Sequence, residues 1–270
     1  MKTRRVSLIL VASLIVLGAW THACTGKRAG TVTVAGSRSV LPVVQELADH
    51  YKVKYPDITI DIQGIGSSAG IAAVQQGAAD IGMSSRNLKE TETGLEETVI
   101  AIDCVALIVN PQNKIAALTS DQIRDIFAGE TTNWSTVGGD DVSITVIDKE
   151  AGSGTREVFE EILMGETKIS ELAIVMDGTG AARAAVARDP AAIGYISLAS
   201  VTQEVEAIAL DQVEPSTQNV QAGKYMLFRP FVLATTATGE VPKLARDFID
   251  YILSEEGRSI VEDSGLIRAK

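Results

Sequence analysis

The sequence has 270 residues, of which 46% are hydrophobic and 22% are charged, and its formal net charge at pH 7 is −11. This length accommodates one large domain or two modest domains, each with a core of its own. The acidic charge argues against nucleic acid as a partner, because binding a phosphate backbone requires clustered Lys and Arg, whereas a few local dipoles and cations are enough to bind a small anion.

The first 23 residues are predicted to form a signal peptide. A basic start precedes an apolar run over residues 6–19, and the small residue Ala23 ends the segment as a signal peptidase requires. This run is too short for a comfortable membrane span of about 20 residues. The basic residues are Lys2, Arg4 and Arg5. Removing these three of the 24 basic residues, and none of the 35 acidic ones, leaves a mature chain with a net charge of about −14.

Cys24 follows the cleavage site directly and is a candidate for lipidation, although Thr21 and His22 depart from the usual lipoprotein pattern. We expect the protein in the periplasm or at the extracytoplasmic membrane surface, anchored through Cys24 if that residue is acylated, with residues 24–30 as a linker. Cys104 lies in a long apolar run and is predicted to be a small buried hydrophobic residue. Two cysteines in these positions do not indicate a disulfide framework.

Three short strands of the first part of the chain each lead into a turn with hydroxyl side chains. The predicted strands cover residues 31–35, 58–62 and 79–83, and the turns cover residues 36–39, 64–70 and 84–86. The first two turns precede predicted helices, one opened by Pro42 and one over residues 71–76. The spacing of glycines in residues 64–70 is one residue too long for a dinucleotide fingerprint, and the chain has no P-loop.

The rest of the chain continues to alternate between strands and helices and contains two long apolar runs. Thr119 to Gln122 form a capping box ahead of a predicted helix containing Ile123, and a loop over residues 129–139 holds Trp134. Further strands are predicted at residues 99–109, 142–147, 173–176, 192–197 and 225–235, and further helices at residues 181–188, 242–253 and 255–263.

A fourth turn, Gly152-Ser153-Gly154-Thr155, lies between the predicted strand at residues 142–147 and a helical pattern. The first N–H groups of a helix lack partners, glycines allow close approach of the backbone, and the two hydroxyls add hydrogen-bonding groups. This combination predicts a cradle for an oxyanion. The alternative is that Ser153 is an ordinary helix N-cap between turn glycines.

The alternation predicts an α/β fold, and the two long apolar runs predict two crossings between two lobes. We expect residues 31–109 and 226–270 to form the first lobe and residues 110–225 to form the second. Ligands of such sheets bind at the carboxyl ends of the strands, and all four hydroxyl-rich turns fall there. This convergence favours the cradle over the simple cap.

Eight sequence blocks between Thr31 and Ile267 resemble the periplasmic phosphate-binding proteins of bacterial ABC importers, in the type II periplasmic binding protein family. The blocks are G-S-R-S-V-L-P, Q-G-I-G-S-S-A-G, A-D-I-G-M-S-S-R, I-F-A-G-E-T-T-N-W, E-A-G-S-G-T-R, A-A-I-G-Y-I-S, F-R-P-F-V-L-A-T and F-I-D-Y-I-L-S-E-E-G. The resemblance implies a two-lobed protein that holds inorganic phosphate between its lobes and delivers it to an ABC permease in the inner membrane. It also implies a binding protein without a cofactor, which we expect to be a monomer.

The family holds its anion with serine and threonine hydroxyls, turn amides and an arginine. Carried over by position, the resemblance implies Ser37, Ser39, Ser67, Ser85, Arg86, Ser153, Gly154 and Thr155 as ligands. The chain departs from the family in having Arg38 where a threonine is common and Lys149 where an arginine is common. A lysine lacks the planar fork of a guanidinium, so Arg38 or Arg86 is a candidate to supply it, and Lys149 is a further candidate ligand.

Other functions fit the sequence less well or are left open by it. A serine hydrolase requires a base, but His50 is the single histidine outside the predicted signal peptide, and Ala151 interrupts the G-x-S-x-G pattern. No set of His and Cys residues indicates a metal, so we expect no enzymatic activity. A protein for another tetrahedral oxyanion, such as sulfate, molybdate or tungstate, and a secreted receptor that senses oxyanions remain alternatives.

Overall fold

The computed structural model describes residues 29–269, so the predicted signal peptide and the candidate lipidation site at Cys24 lie outside the described residues. Within this range, no helix combines the length and the apolar character needed to cross a membrane. The described chain alternates between strands and helices, as the sequence predicted.

The strands are β1 (Gly30–Gly36), β2 (Ile58–Gly64), β3 (Ile81–Ser84), β4 (Leu95–Val109), β5 (Ala117–Leu118), β6 (Thr145–Lys149), β7 (Ile174–Met176), β8 (Ala192–Ser197), β9 (Glu206–Leu210), β10 (Phe228–Thr236) and β11 (Ile267–Arg268). The α-helices are α1 (Leu41–Lys54), α2 (Ser67–Gln75), α3 (Ser120–Ala128), α4 (Gly154–Phe159), α5 (Thr179–Arg188), α6 (Thr217–Gln221), α7 (Lys243–Leu253) and α8 (Glu255–Asp263). A π-helical turn, Glu160–Met164, continues α4, and short 3₁₀ turns lie at Trp134–Val137 and Leu198–Ser200.

A continuous order of strands, β2-β1-β3-β10-β4-β8-β6-β7, connects the two halves of the fold. Strands β1, β2 and β3 are parallel, and β10 runs antiparallel to both β3 and β4. The first part of β4 pairs with β10, whereas its last five residues, Val105 to Val109, pair with β8. Strand β4 therefore passes from one lobe into the other, and the predicted two-lobed α/β fold is confirmed.

Each lobe has its own hydrophobic core. The first core contains side chains from β1, α1, β3, α7 and α8, with Tyr51 packed edge-on against Phe248. The second core contains side chains from β4, α3, α4 and β8, and the rings of Phe159 and Tyr195 stack with their centroids 4.0 Å apart. Cys104 is buried there, as predicted. The lobe boundaries at residues 109 and 226 stay a prediction.

The second crossing lies just before β10. The sequence predicted one strand from residue 225, but β10 begins at Phe228. The Tyr225 hydroxyl donates a hydrogen bond to the Val105 carbonyl at 2.9 Å, and the Val105 N–H donates to the Leu227 carbonyl at 2.9 Å. These contacts hold the segment before β10 against β4 at the point where both pass between the lobes.

Several predicted elements are confirmed, whereas the ends of others differ and four short elements, β5, β9, α6 and β11, were not predicted. The capping box at Thr119 is present, and β8 and α8 have the predicted bounds. Helix α2 begins at Ser67 and not at residue 71, because Gly66 adopts φ +95°, which glycine tolerates best, and the hydroxyl residues form the first turn of the helix. Strand β6 begins at Thr145, since Ser143 instead pairs with Asn133 in an isolated bridge.

Candidate functional site

The four hydroxyl-rich turns converge between the lobes. The turns after β1, β2 and β3 belong to the first lobe, and the turn after β6 belongs to the second. All six of their predicted hydroxyl ligands are buried, and the most exposed of them, Ser39, has 6% of its surface accessible. They are Ser37, Ser39, Ser67, Ser85, Ser153 and Thr155. Polar side chains buried to this degree normally require hydrogen-bonding partners.

Hydrogen bonds join these hydroxyls within and between the lobes. The hydroxyl of Ser39 lies 3.1 Å from that of Thr155, so the first and fourth turns are in direct contact. The hydroxyls of Ser67 and Ser85 are 3.3 Å apart, and the Ser85 N–H donates to Ser67 Oγ at 3.2 Å. Four of the hydroxyl residues that the family resemblance grouped together are therefore in contact as two pairs in the structure.

Gly154 allows the fourth turn to approach the second and third turns. A Cβ atom at this position would lie 2.7 Å from both Ser67 Oγ and Ser85 Oγ, closer than real contacts permit. The Ser68 N–H also donates to the Gly152 carbonyl at 3.2 Å, which joins the lobes through their backbones. Any side chain at residue 154 would thus force the turns apart.

Ser153 occupies the N-cap position of α4, but its side chain makes no capping hydrogen bond. Thr119 and Ser216, by contrast, accept backbone N–H groups at the starts of α3 and α6. The hydroxyl of Ser153 is buried among the converging turns. In this structure Ser153 therefore does not cap α4 through its side chain as Thr119 and Ser216 cap their helices.

Lys149 is the last residue of β6, and only 1% of its surface is exposed. Its ammonium group donates a hydrogen bond to Thr179 Oγ1 at 3.0 Å. Burial lowers the pKa of Lys149 from its ordinary 10.5 to about 8, and the positive charge of Arg229 lowers it further, while Glu150 and Asp103 oppose the shift. A bound anion would favour the ammonium form and raise this pKa again.

These groups surround a small, tightly packed cavity between the lobes. Its lining consists of polar or charged side chains and glycines, which suits a small anion. Its lining residues are Ser37, Arg38, Ser39, Gly66, Ser67, Lys149, Glu150, Ser153 and Gly154.

Arg38 lies at the cavity, but its guanidinium group is engaged by carboxylates of the second lobe. Its Nη1 atom is 3.2 Å from Glu150 Oε1 and 3.0 Å from Asp177 Oδ1. Glu150 also accepts the Gly178 N–H at 3.0 Å through its other oxygen. About a quarter of the Arg38 side chain is exposed. Arg38 therefore bridges the lobes at the edge of the cavity.

The structure does not bring the guanidinium group of Arg86 to this cavity. Its Nη2 atom lies 2.7 Å from Glu92, its Nε atom lies 2.6 Å from Glu157, and Nη2 also donates to Ser68 Oγ at 3.1 Å. Burial lowers the pKa of Arg86, but the hydrogen bonds and charges of the two glutamates outweigh burial and raise the pKa above its ordinary value. Since Glu157 belongs to α4, this cluster is a second contact between the lobes.

Thr179 is a site residue that the sequence reasoning missed. It is the first residue of α5, is 7% exposed, and places its hydroxyl 3.0 Å from Ser39 Oγ and 3.0 Å from Lys149 Nζ. The sequence contains a pattern that could have indicated it, because Gly178-Thr179-Gly180 is a fifth small turn between a strand and a helix. Unlike the other four turns, it contains a single hydroxyl.

A buried ion pair lies next to the cavity, where β4 and β10 pass between the lobes. The Nε and Nη2 atoms of Arg229 donate to Asp103 Oδ2 at 3.0 and 2.8 Å, and the Ser197 hydroxyl donates to Asp103 Oδ1 at 2.6 Å. Both charged residues are at most 1% exposed. Among the described residues, nothing accepts a hydrogen bond from Arg229 Nη1.

Residues 29–269 contain no group of three or more His, Cys, Asp and Glu side chains arranged to hold a metal ion. The arrangement combines hydrogen-bond donors with a buried ammonium group, which suits reversible binding of a small anion.

Comparison with known proteins agrees with this geometry. A family model described as a PBP superfamily domain matches residues 22–256. The phosphate-binding protein PstS of Bacillus subtilis is 32% identical over 247 residues, which cover 89% of this chain and 81% of that protein. PstS of Borreliella burgdorferi is 29% identical over 252 residues, which cover 88% of this chain and 90% of that protein.

Two solved structures are also similar. A phosphate-bound crystal structure from Clostridium perfringens, described as a phosphate ABC transporter substrate-binding protein, superposes with a TM-score of 0.86 at 41% identity, covering 89% of this chain and 100% of that chain. An ABC-type phosphate transport receptor from Vibrio cholerae gives a TM-score of 0.74 at 34% identity, with the same coverage of both chains.

Proposed function

This chain belongs to the PBP superfamily of binding proteins, among the relatives of the phosphate-binding PstS proteins, and on that premise we propose that it captures inorganic phosphate between its two lobes. It then delivers the phosphate to the permease of an ABC importer. The relatives are binding and transport proteins, and the site lacks a histidine base, so the proposed activity is binding without catalysis.

The observation that carries this proposal is the buried ammonium group of Lys149 beside the hydroxyls of both lobes. A buried charge is costly unless an opposite charge or several hydrogen bonds compensate for it. Lys149 has three N–H donors, of which one goes to Thr179. A small anion among the surrounding hydroxyls would accept the remaining donors and compensate for the buried charge.

The proposed ligands are Ser37, Ser39, Ser67, Ser85, Ser153, Gly154 and Thr155, with Lys149 as the cation. Arg38 closes the edge of the site through its contacts with Glu150 and Asp177. We assign Arg86 to the contact between the lobes, because its guanidinium group is committed to Glu92 and Glu157. In this proposal, residues 31–109 and 226–270 move as one lobe and residues 110–225 as the other.

We place the protein outside the cytoplasm as a monomer, exported through its first 23 residues and beginning at Cys24 in its mature form. Mass spectrometry of the membrane fraction decides the anchor. An acylated Cys24 supports a lipoprotein, whereas an unmodified Cys24 in the soluble periplasmic fraction argues against lipidation.

Isothermal titration calorimetry of residues 25–270 with phosphate, sulfate and molybdate tests the binding function. We expect phosphate to bind most tightly. Tighter binding of sulfate or molybdate would assign the site to another oxyanion, and binding of none of the three would overturn the proposal. Uptake of radiolabelled phosphate by cells that lack the protein separates transport from a sensing role, because loss of a sensor leaves the transporter itself intact.

We expect Ser153→Ala and Thr155→Val each to weaken phosphate binding by roughly 10-fold to 150-fold while leaving the fold intact. Each change removes one hydrogen bond to a charged group, which contributes about 1.5 to 3 kcal/mol. Calorimetry gives the affinity and thermal melting gives the stability.

Ser216→Ala is the matched control for these two variants. Ser216 caps α6 by accepting the Asn219 N–H at 3.1 Å, so its loss should lower the melting temperature and leave the affinity unchanged. If Ser153→Ala behaved in the same way as this control, Ser153 would be a structural cap.

We expect Ser85→Asp to raise the preference for phosphate over sulfate. Phosphate at neutral pH carries a proton that sulfate lacks, and a fixed carboxylate accepts that proton while repelling sulfate. Ser85 is 1% exposed, and its hydroxyl lies beside Gly154 and 3.3 Å from Ser67 Oγ, so a carboxylate there would lie next to two residues that line the cavity. The serine hydroxyl can rotate to donate, so the natural site discriminates less.

The measurement is the ratio of phosphate to sulfate affinity from pH 5 to 8, with Ser85→Asn as the uncharged control of similar size. An unchanged or lower ratio in Ser85→Asp would contradict this account of selectivity. The acceptor would then be sought in Glu150, which also lines the cavity.

A further inference from the structure

Thr179 connects the buried ammonium group to the hydroxyls of both lobes. Its Oγ1 atom accepts from Lys149 Nζ at 3.0 Å and lies 3.0 Å from Ser39 Oγ, which is in turn 3.1 Å from Thr155 Oγ1. We propose that Thr179 is a positioning residue, which fixes Lys149 beside the anion and orders the hydroxyl hydrogens of Ser39 and Thr155. This inference rests on the proposed function and adds a residue that neither the sequence motifs nor the family resemblance assigned.

The need for such a residue follows from the lysine at position 149. An arginine presents a rigid planar fork whose direction its own geometry sets, whereas a lysine ammonium is a compact charge on a flexible stem. An acceptor at a fixed position is required to hold that ammonium in one place. Thr179 is well suited to this, because it starts α5 and its position is set by the helix backbone.

The charged groups around Lys149 form hydrogen bonds with other residues. Glu150 accepts hydrogen bonds from Arg38 and from the Gly178 N–H, and Asp103 accepts from Arg229 and Ser197. Arg38 and Arg229 are themselves cations and repel the ammonium group. Thr179 is therefore the neutral group that holds Lys149 without cancelling its charge, and this leaves the charge available to an anion.

A count of the hydroxyl hydrogens in this network shows how many donors remain for an anion. Thr179, Ser39 and Thr155 carry three hydroxyl hydrogens, and the two contacts between them use two, whichever atom donates in each contact. One hydrogen is left over. Because Lys149 already donates to Thr179, the network adds one hydroxyl donor to the two free N–H donors of the lysine, and all three can point to one anion.

The test compares Thr179→Val, which removes the hydroxyl at nearly constant volume, with Thr179→Ser, which keeps it. We expect Thr179→Val to lower phosphate affinity by roughly 10-fold at pH 7 and Thr179→Ser to remain within about threefold of the wild type. Thr179→Ala, a smaller residue without a hydroxyl, replaces the valine variant if valine impairs folding, and thermal melting monitors all three.

The pH dependence of binding separates positioning from general packing. The wild-type ammonium group has a pKa of about 8. Without its acceptor it should lose its proton at lower pH, so the affinity lost in Thr179→Val should be larger at pH 8.5 than at pH 6.5. Lys149→Arg gives the reference for this comparison. Its guanidinium stays charged over this pH range, so its affinity changes with pH only through the titration of phosphate itself.

The outcomes are distinguishable. Equal losses in Thr179→Val and Thr179→Ser, or a loss that does not vary with pH, would overturn the role of Thr179 while leaving phosphate binding in place. Failure of the wild-type protein to bind phosphate would instead overturn the proposed function. A pH-dependent loss in Thr179→Val that Thr179→Ser restores supports the positioning role.

Discussion

Replacing Lys149 by methionine is expected to lower phosphate affinity by roughly 150-fold to 5,000-fold. Methionine keeps most of the volume of the side chain but removes its charge. Removing one partner of a buried pair of opposite charges costs about 3 to 5 kcal/mol, which corresponds to this range of affinities. Because Lys149 is 1% exposed, little water is available to replace the ammonium group as a donor to the anion.

The same substitution should stabilise the protein when no anion is bound. The pKa of Lys149 is about 8 in the folded protein and 10.5 as its ordinary value, so folding disfavours the charged form. Below pH 8 the full cost of burying the ammonium is present. Between about pH 8 and 10.5 the unfolded chain holds more protons than the folded one, and the contribution of this group to stability rises with pH. At pH 7 Lys149→Met should therefore be more stable than the wild type, and this gain in stability should be smaller at pH 10.

The affinity of the wild-type protein should fall as the pH rises above about 8, since the lysine then loses its proton before the anion binds. Calorimetry between pH 6 and 9 measures this, and Lys149→Arg separates it from the titration of phosphate. Lys168→Met, which changes an exposed lysine, is the control for loss of one positive charge. An affinity of Lys149→Met within threefold of the wild type would contradict the central role of this cation.

The positions of the hydroxyl-rich turns could be predicted from sequence because local patterns determine them. A strand followed by a glycine and a hydroxyl residue, and then by a helix, places that hydroxyl at the carboxyl end of a strand. The turns that contain Ser39, Ser67 and Ser153 were predicted in this way, and the structure brings these turns together. The alternation of strands and helices likewise predicted the α/β fold and the crossing in β4.

The use made of the arginines could not be predicted, because it depends on distances between segments far apart in the chain. Arg38 contacts Asp177, which is 139 residues later, and Arg86 contacts Glu157. The sequence showed cations beside hydroxyl turns but not the carboxylates that engage them. Thr179 was missed for a related reason, since a single hydroxyl in a Gly-Thr-Gly turn is a weak signal until Lys149 is seen to contact it.

The ion pair of Asp103 and Arg229 was also absent from the sequence reasoning, and it gives the largest expected effect on stability. Arg229→Met should lower the free energy of unfolding by about 3 to 5 kcal/mol, because it leaves Asp103 buried without its ion-pair partner, with the Ser197 hydroxyl and the charge of Lys149 as its remaining compensation. For a chain of this length, such a loss corresponds to a melting temperature lower by roughly 6 to 20 °C. Thermal and urea unfolding measure it.

The double variant Asp103→Leu/Arg229→Met tests whether the loss arises from the unpaired charge. Two apolar side chains of similar volume require no compensation, and Arg229 Nη1 already lacks a hydrogen-bond acceptor among the described residues, so the double variant should recover most of the stability. Lys114→Met, which breaks an exposed pair with Asp140, should cost less than about 1 kcal/mol.

A second measurement follows from the position of the pair beside the phosphate site. Arg229 lowers the pKa of Lys149, so its removal should move the decline in phosphate affinity to higher pH, even though the protein is less stable. A structural defect alone would weaken binding at every pH. If Arg229→Met instead melted within about 2 °C of the wild type, the pair would not hold the crossing strands together. If its affinity declined at the same pH as that of the wild type, Arg229 would not tune the pKa of Lys149.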